Sequence, residues 1–226
     1  MTCIWTAGPA PAGIAQAAEG LPKPCRNGPP MRQTNPRDRL RNTLRPLLRV
    51  IGLGALILTC YLAFLQVSGN FHTVSPGKVY RAAQMDGQAL ARWKREYGIA
   101  SVLNLRGPDQ GADWYETERA VSDRLGIRHI DFRMSAGSEL TQDEVHRLLA
   151  LMQDAPKPLL IHCKSGSDRT GLASALYVAA VDHRSELAAE WQLSLAFGHI
   201  GLPLSQAWPM NLTWERIEPW LGYSDS

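Results

Sequence analysis

Residues 158–171, Pro-Leu-Leu-Ile-His-Cys-Lys-Ser-Gly-Ser-Asp-Arg-Thr-Gly, constrain this chain more than any other stretch. The apolar run Leu159-Leu160-Ile161, bounded by Pro156 and Pro158, is short enough for a buried strand. Residues 170–178 read as a buried helix, apolar on most sides. Between them, five residues separate Cys163 from Arg169, with Gly166 in the middle. A strand feeding a tight glycine-containing loop and then a helix aims several backbone N–H groups at one point. With the positive end of the helix dipole, this is an anion site suited to phosphate.

Cys163 opens that loop. The loop amides, the helix N-terminus and Arg169 all favour its thiolate, the attacking form. Arg169 offers a planar fork that grips two phosphate oxygens. Thr170 places a hydroxyl where it can stabilise the departing sulfur. Lys164, Ser165, Gly166, Ser167 and Asp168 complete the phosphate-binding loop. These parts fit thiolate attack on a phosphomonoester, followed by hydrolysis of a phosphocysteine. The run His162-Cys163-x5-Arg169-Thr170-Gly171 resembles the signature loop of the cysteine-dependent protein tyrosine and dual-specificity phosphatases. The resemblance covers roughly residues 71–185. With Arg169 and the amides supplying charge stabilisation, neither a metal nor another cofactor is expected.

The leaving oxygen needs a general acid, and the residues leave several candidates open. Asp131 lies five residues after Gly126, a spacing similar to the acid of compact dual-specificity phosphatases, yet it reads as strand interior. Asp168 resembles the aspartate of a branch of tyrosine and lipid phosphatases whose loop reads Asp-Arg-Thr-Gly; bracing the loop is its structural alternative. Glu139 ranks lower, and Asp143 is equally explained as a first-turn helix acid. His162 resembles the family's buried histidine, which orients the loop. Lys164 resembles the lysine of phosphoinositide-phosphatase loops and suits a phospholipid head group. A phospholipid phosphatase, an inactive phospho-ligand-binding relative and a rhodanese-type sulfurtransferase are the alternatives. Rhodanese loops usually space cysteine and arginine more closely and lack Arg-Thr-Gly.

Charge divides the chain. Residues 1–49 carry a net +6 and the remainder −3, giving +3 overall. Residues 1–30, dominated by Pro, Gly and Ala, read as disordered, and translation starting at Met31 is an alternative. Residues 1–49 form a disordered basic segment on this reading. Residues 50–67 are eighteen uncharged positions, close to the ~20 needed to cross a bilayer. Residues 50–68 are expected to be an uncleaved transmembrane anchor, with cleavage near Val67-Ser68-Gly69 as the rival. The basic flank stays cytoplasmic, which places a phosphatase domain of residues 69–226 outside the cytoplasm. Cys3, Cys25, Cys60 and Cys163 show no metal-site spacing, and only Cys163 falls in that domain.

The expected fold is α/β, a mainly parallel central sheet flanked by helices and preceded by one transmembrane helix. Residues 74–81, with their Tyr80-Arg81 pair, resemble the opening strand of small dual-specificity phosphatases, and further strands are expected over 99–105, 127–134 and 159–161. Helices are expected at 87–97, 114–125, from a Thr141/Glu144 capping box onward, and at 171–181, 185–197 and 211–221. Trp191, Trp208, Trp214 and Trp220 are expected to pack the helical end. The domain has no basic stripe, so the expected partners are a phosphorylated substrate and the membrane, with no nucleic acid.

Overall fold

A computed structural model describes residues 36–223, with side-chain surroundings from residue 44. The expected disorder of 1–30 and the start at Met31 lie outside the described residues. Helix α1, Pro36–Val67, is a single helix of 32 residues. It therefore begins well before residue 50, and positions 36–49 are helical rather than disordered. Pro36 suits the first helical position, where a missing N–H costs nothing, and Leu and Arg propagate the helix. Its Leu44–Val67 portion is long and apolar enough to cross a membrane.

The strands are β1 (His72–Ser75), β2 (Val79–Ala82), β3 (Ser101–Asn104), β4 (Arg128–Asp131) and β5 (Leu159–His162). They form one sheet in the order β1-β2-β5-β3-β4, parallel except for β1. The helices are α2 (Gly87–Tyr97), α3 (Asp113–Leu125), α4 (Gln142–Asp154), α5 (Asp168–Ala180), α6 (Glu186–Glu190) and α7 (Trp208–Ile217). Alternation along the strands separates two cores. Leu103, Leu159 and Ile161 pack with Leu148, Leu172 and Trp214 on the α4, α5 and α7 side. Val102 and Leu160 pack with Trp93 and Val121 on the α2 and α3 side. β5 is central, and all four of its residues are buried.

Several further elements differ from the sequence reading, among them the helix expected over 211–221, which is α7 followed by a 3₁₀ turn at Glu218–Leu221. The expected strand 74–81 is a hairpin, because Pro76 and Gly77 (φ +70°) form a turn closed by Lys78 N–H to Ser75 O at 3.0 Å. The strand expected over 127–134 is regular only to Asp131, beyond which Phe132 and Met134 N–H still bond Asn104 O and Leu105 O at 3.0 and 3.3 Å. The helix expected over 185–197 is only α6 followed by 3₁₀ turns at Trp191–Leu193 and Leu195–Phe197, ended by Gly198 at φ +83°. The helices at 87–97 and 114–125 stand within a residue of expectation, each ended by a left-handed glycine, Gly98 or Gly126. The Thr141–Glu144 capping box starts α4 as expected. The compact unit that carries the sheet begins at Val50, ahead of residue 69, because Leu65 is buried against it.

Candidate active site

The loop 163–167 leaves the carboxyl end of β5 and enters α5, which starts at Asp168 rather than 171. Asp168, Arg169 and Thr170 are thus its first turn. Ser167 makes no side-chain cap, so the first amides of α5 are not used up by a capping side chain. Cys163 is buried, and its Sγ accepts a hydrogen bond from Gly166 N–H at 3.3 Å. Gly166 has φ +72°, and a Cβ there would lie 2.6 Å from Ala83 N and 2.7 Å from Ala82 O. The loop thus lies on the end of β2 so closely that only glycine fits.

Arg169 is held by its Nη1 against the carbonyls of Leu105 and Met134, 3.5 and 3.4 Å away. Its remaining donors are free for two oxygens of one phosphate. Thr170 Oγ1 is fully buried without a protein partner, a donor awaiting a ligand or the sulfur. Lys164 is exposed, and its carbonyl is tied to Gln84 N–H at 3.1 Å. Ser165, half-buried, points its carbonyl at the Asn70 amide, 3.0 Å away.

Two buried networks hold the loop, and neither is a local sequence pattern. Beneath it lies Arg81, fully buried. Its Nη2 donates to Gly166 O at 2.9 Å and Ser167 O at 3.3 Å, while Nη1 donates to the backbone and side chain of Gln192. The guanidinium stacks on Phe197 at 4.0 Å. Burial pulls its pKa down to about 9, against the attraction of Cys163 and Asp168, so it stays charged at neutral pH. The Tyr80-Arg81 pair is visible in the sequence, but nothing there says that Arg81 crosses under residue 166.

The second network centres on buried Glu118. His162 Nε2 and His129 Nε2 share its Oε1 at 3.0 and 2.8 Å, and Gln84 donates to Oε2 at 2.8 Å. Burial alone would raise the Glu118 pKa. The charge of His162 and hydrogen bonds from His129, His162 and Gln84 outweigh it and hold the carboxyl well below the usual range. His162 Nδ1 lies 3.4 Å from Cys163 O, so this network fixes the chain at Cys163. Gln84 also accepts from Arg106 Nη1 at 3.1 Å. Arg106 stacks on Trp114 at 3.5 Å. Burial and repulsion by Arg169 lower its pKa, with Cys163 pulling the other way. Arg106 therefore sits in the field of Cys163 and Arg169, although in the sequence it is only a loop residue.

The acid candidates part company here. Asp131, the last residue of β4, accepts from Tyr115 OH at 2.6 Å and Asn104 Nδ2 at 2.8 Å. Glu139 is paired with Arg216 Nη1 at 2.7 Å. Asp143 lies in the first turn of α4. Asp168 shares the first turn of α5 with Arg169, is 27% exposed, and meets His199 Nδ1 at 2.8 Å. His199 Nε2 meets Asn211 Oδ1 at 2.9 Å. The structure brings Cys163, Arg169, Asp168 and the loop together, and leaves Asp131 bound to α3 and β3.

Solved structures share this fold. TpbA of P. aeruginosa matches at 26% identity and a TM-score of 0.54, covering 66% of this chain and 85% of that one. PTPMT1 matches at 16% identity and a TM-score of 0.51, covering 67% and 98%. The core catalytic domain of the PP-IP phosphatase SIW14 from S. cerevisiae matches at 20% identity and a TM-score of 0.51, covering 69% and 94%. The last two speak for the fold alone. No curated protein sequence matches the chain. The model of the tyrosine phosphatase family matches residues 65–199, a stretch that runs from the end of α1 through the Cys163 loop to His199. This chain belongs to the tyrosine phosphatase family and is a cysteine-dependent phosphatase that hydrolyses phosphate esters.

Proposed function

We propose that Cys163 is the nucleophile, Arg169 and the amides of residues 164–169 bind the phosphoryl group, and Asp168 is the general acid. The carrying observation is the contact of Asp168 with His199. His199 Nδ1 meets Asp168 Oδ1 at 2.8 Å while its Nε2 meets Asn211 Oδ1 at 2.9 Å, so a buried ring holds this carboxyl in place next to Arg169 in the first turn of α5. Asp131 and Glu139 have their oxygens engaged by Tyr115, Asn104 and Arg216.

In the proposed cycle the Cys163 thiolate attacks phosphorus and the ester oxygen leaves with the proton of Asp168. Arg169 follows the equatorial oxygens into the transition state. Water, deprotonated by the now ionised Asp168, then attacks phosphorus, and the thiolate departs towards Gly166 N–H and Thr170 Oγ1. Cys163→Ser is expected to abolish turnover while ligand binding persists, because a hydroxyl is a far weaker nucleophile at neutral pH. Full activity in that variant, or activity lost to a chelator and restored by a divalent ion, would contradict the scheme.

We further propose that α1 crosses the membrane once and that the catalytic domain lies outside the cytoplasm. The basic block from Arg32 to Arg49 precedes the apolar stretch, and the chain beyond carries net −3, the asymmetry of a positive-inside anchor. Protease digestion of a tag after Ser226 in spheroplasts is the check. Digestion supports this orientation; protection until lysis places the domain in the cytoplasm.

A further inference from the structure

The uncharged stretch of α1, residues 50–67, is eighteen residues long, about 27 Å of helix against a hydrocarbon core of about 30 Å. A bilayer that keeps Arg45 and Arg49 out of its hydrocarbon core therefore uses the last turns of the helix. Those turns are not free of the catalytic domain. Tyr61 OH donates to Ala196 O at 2.7 Å, and Leu65 is 3% exposed. A Cβ on Gly198 would lie 3.4 Å from Leu65 and 3.7 Å from Leu62. The segment around Ala196–Gly198 is thus level with side chains that the span cannot leave in water.

That segment has the wrong surface for water. Residues 191–214 contain no Asp, Glu, Lys or Arg, in a chain that is 20% charged. Trp191 (57% exposed), Leu195 (46%), Ile200 (39%), Leu202 (60%) and Leu204 (101%) all face outward from it. Trp191 does not pack the helical end, as its sequence position had indicated. The exposure has a local cause, since the 3₁₀ turns and Gly198 break the helix and leave 199–206 as a loop. Scattered exposed leucines need no explanation, but this many in one uncharged segment beside an apolar span do.

We infer that Trp191 to Leu204 is a second membrane contact, seated in the headgroup and upper acyl region beside the end of α1. This rests on the reading of α1 as a membrane span. Lipid is the occupant because the surface is continuous with the span. Its aromatic members, Trp191 and Tyr61, are of the type that populates the bilayer interface. Apolar faces of this kind sink about 5–10 Å into the headgroup boundary. The consequence reaches the catalytic loop. Gln66 Nε2 and Asn70 Nδ2 both donate to Ser165 O, at 3.4 and 3.0 Å, and Asn70 also donates to Phe197 O at 2.9 Å. Two membrane contacts joined to one loop fix its orientation as well as its height. A helix alone would let the domain swivel.

The test uses the full chain in vesicles of phosphatidylethanolamine and phosphatidylglycerol, with Cys3, Cys25, Cys60 and Cys163 changed to Ser so that the introduced thiol alone is labelled. An environment-sensitive fluorophore is placed by Leu204→Cys, Leu53→Cys or Gln153→Cys in turn. Leu53 reports the span. Gln153, exposed near the end of α4, lies at the opposite end of β5 from the catalytic loop. The expected result is blue-shifted emission and quenching by spin-labelled lipid at both Leu204 and Leu53, with neither at Gln153. Quenching at Leu53 alone overturns the second contact and leaves the span intact. If the Leu204 probe escapes lipid and is also shielded from iodide, protein rather than bilayer covers the patch. No quenching at Leu53 overturns the span and this inference with it, and equal quenching at all three sites overturns the inference as non-specific adsorption.

Discussion

Asp168 and His199 meet at 2.8 Å, although 31 residues separate them, and His199 is buried so that its other nitrogen meets Asn211. The contact predicts a leaving-group signature. Asp168→Asn should lower kcat/KM, which reports the first phosphoryl transfer, by roughly 10²–10⁴-fold for alkyl phosphates, while kcat/KM for activated aryl phosphates, which leave without a proton, is much less affected. His199→Ala should show a weaker version of the same pattern, since it acts through Asp168. If Asp131→Asn shows the signature and Asp168→Asn does not, the assignment is wrong.

Gly166→Ala tests how closely the loop rests on β2. Its Cβ would meet backbone at 2.6 Å, and φ +72° is itself unfavourable for alanine. A displacement of about 1 Å at the loop costs roughly 10²-fold in rate. The expected outcome is a fall in kcat/KM of that order with the protein still folded by circular dichroism. Unchanged kinetics would mean that the loop is not held in this shape.

Arg81→Lys should be damaging even though Arg81 is buried beneath the loop rather than exposed to substrate. An ammonium cannot donate at once to Gln192 and to the Gly166 and Ser167 carbonyls, so buried acceptors go unpaired. The cost is about 2–4 kcal/mol, equivalent to a Tm lowered by roughly 5–15 °C. A calorimetric Tm within a degree of the parent would contradict this.

Glu118 gives the stability a pH dependence. Its pKa is depressed on folding from an ordinary 4.5, so its contribution is complete above pH 4.5 and is lost as the pH falls below it. The parent should exceed Glu118→Gln in Tm at pH 7, and the gap should narrow progressively below pH 4.5. A constant gap across that range would show that the stabilisation is not that of an ionised Glu118.

Much of this was legible because it is local. Cys163, Gly166 and Arg169 lie within seven residues, and the glycine terminators and the capping box need only near neighbours. What was missed depends on distant pairing. Arg81 reaches Gly166 and Gln192, His199 reaches Asp168, and Arg106 reaches the field of Arg169, each through the packing of elements far apart in the chain. The expected strand 74–81 failed for a local reason, the turn at Pro76-Gly77. The helix expected over 185–197 was overextended because the residues up to Phe197 resemble helix formers, while tertiary packing breaks the segment into 3₁₀ turns. Asp131 and Asp168 could not be separated by spacing, since the difference lies in their partners, Tyr115 and Asn104 for one and His199 for the other.

The central claim is that Cys163 carries the phosphoryl group between substrate and water. Rapid acid quench of the enzyme mixed with an aryl phosphate, followed by peptide mass spectrometry, measures this directly. Asp168→Asn should accumulate the intermediate by slowing its hydrolysis, with the phosphoryl group on the peptide containing Cys163. Turnover with no phosphorylated protein, or with the group on a residue other than Cys163, would contradict the account.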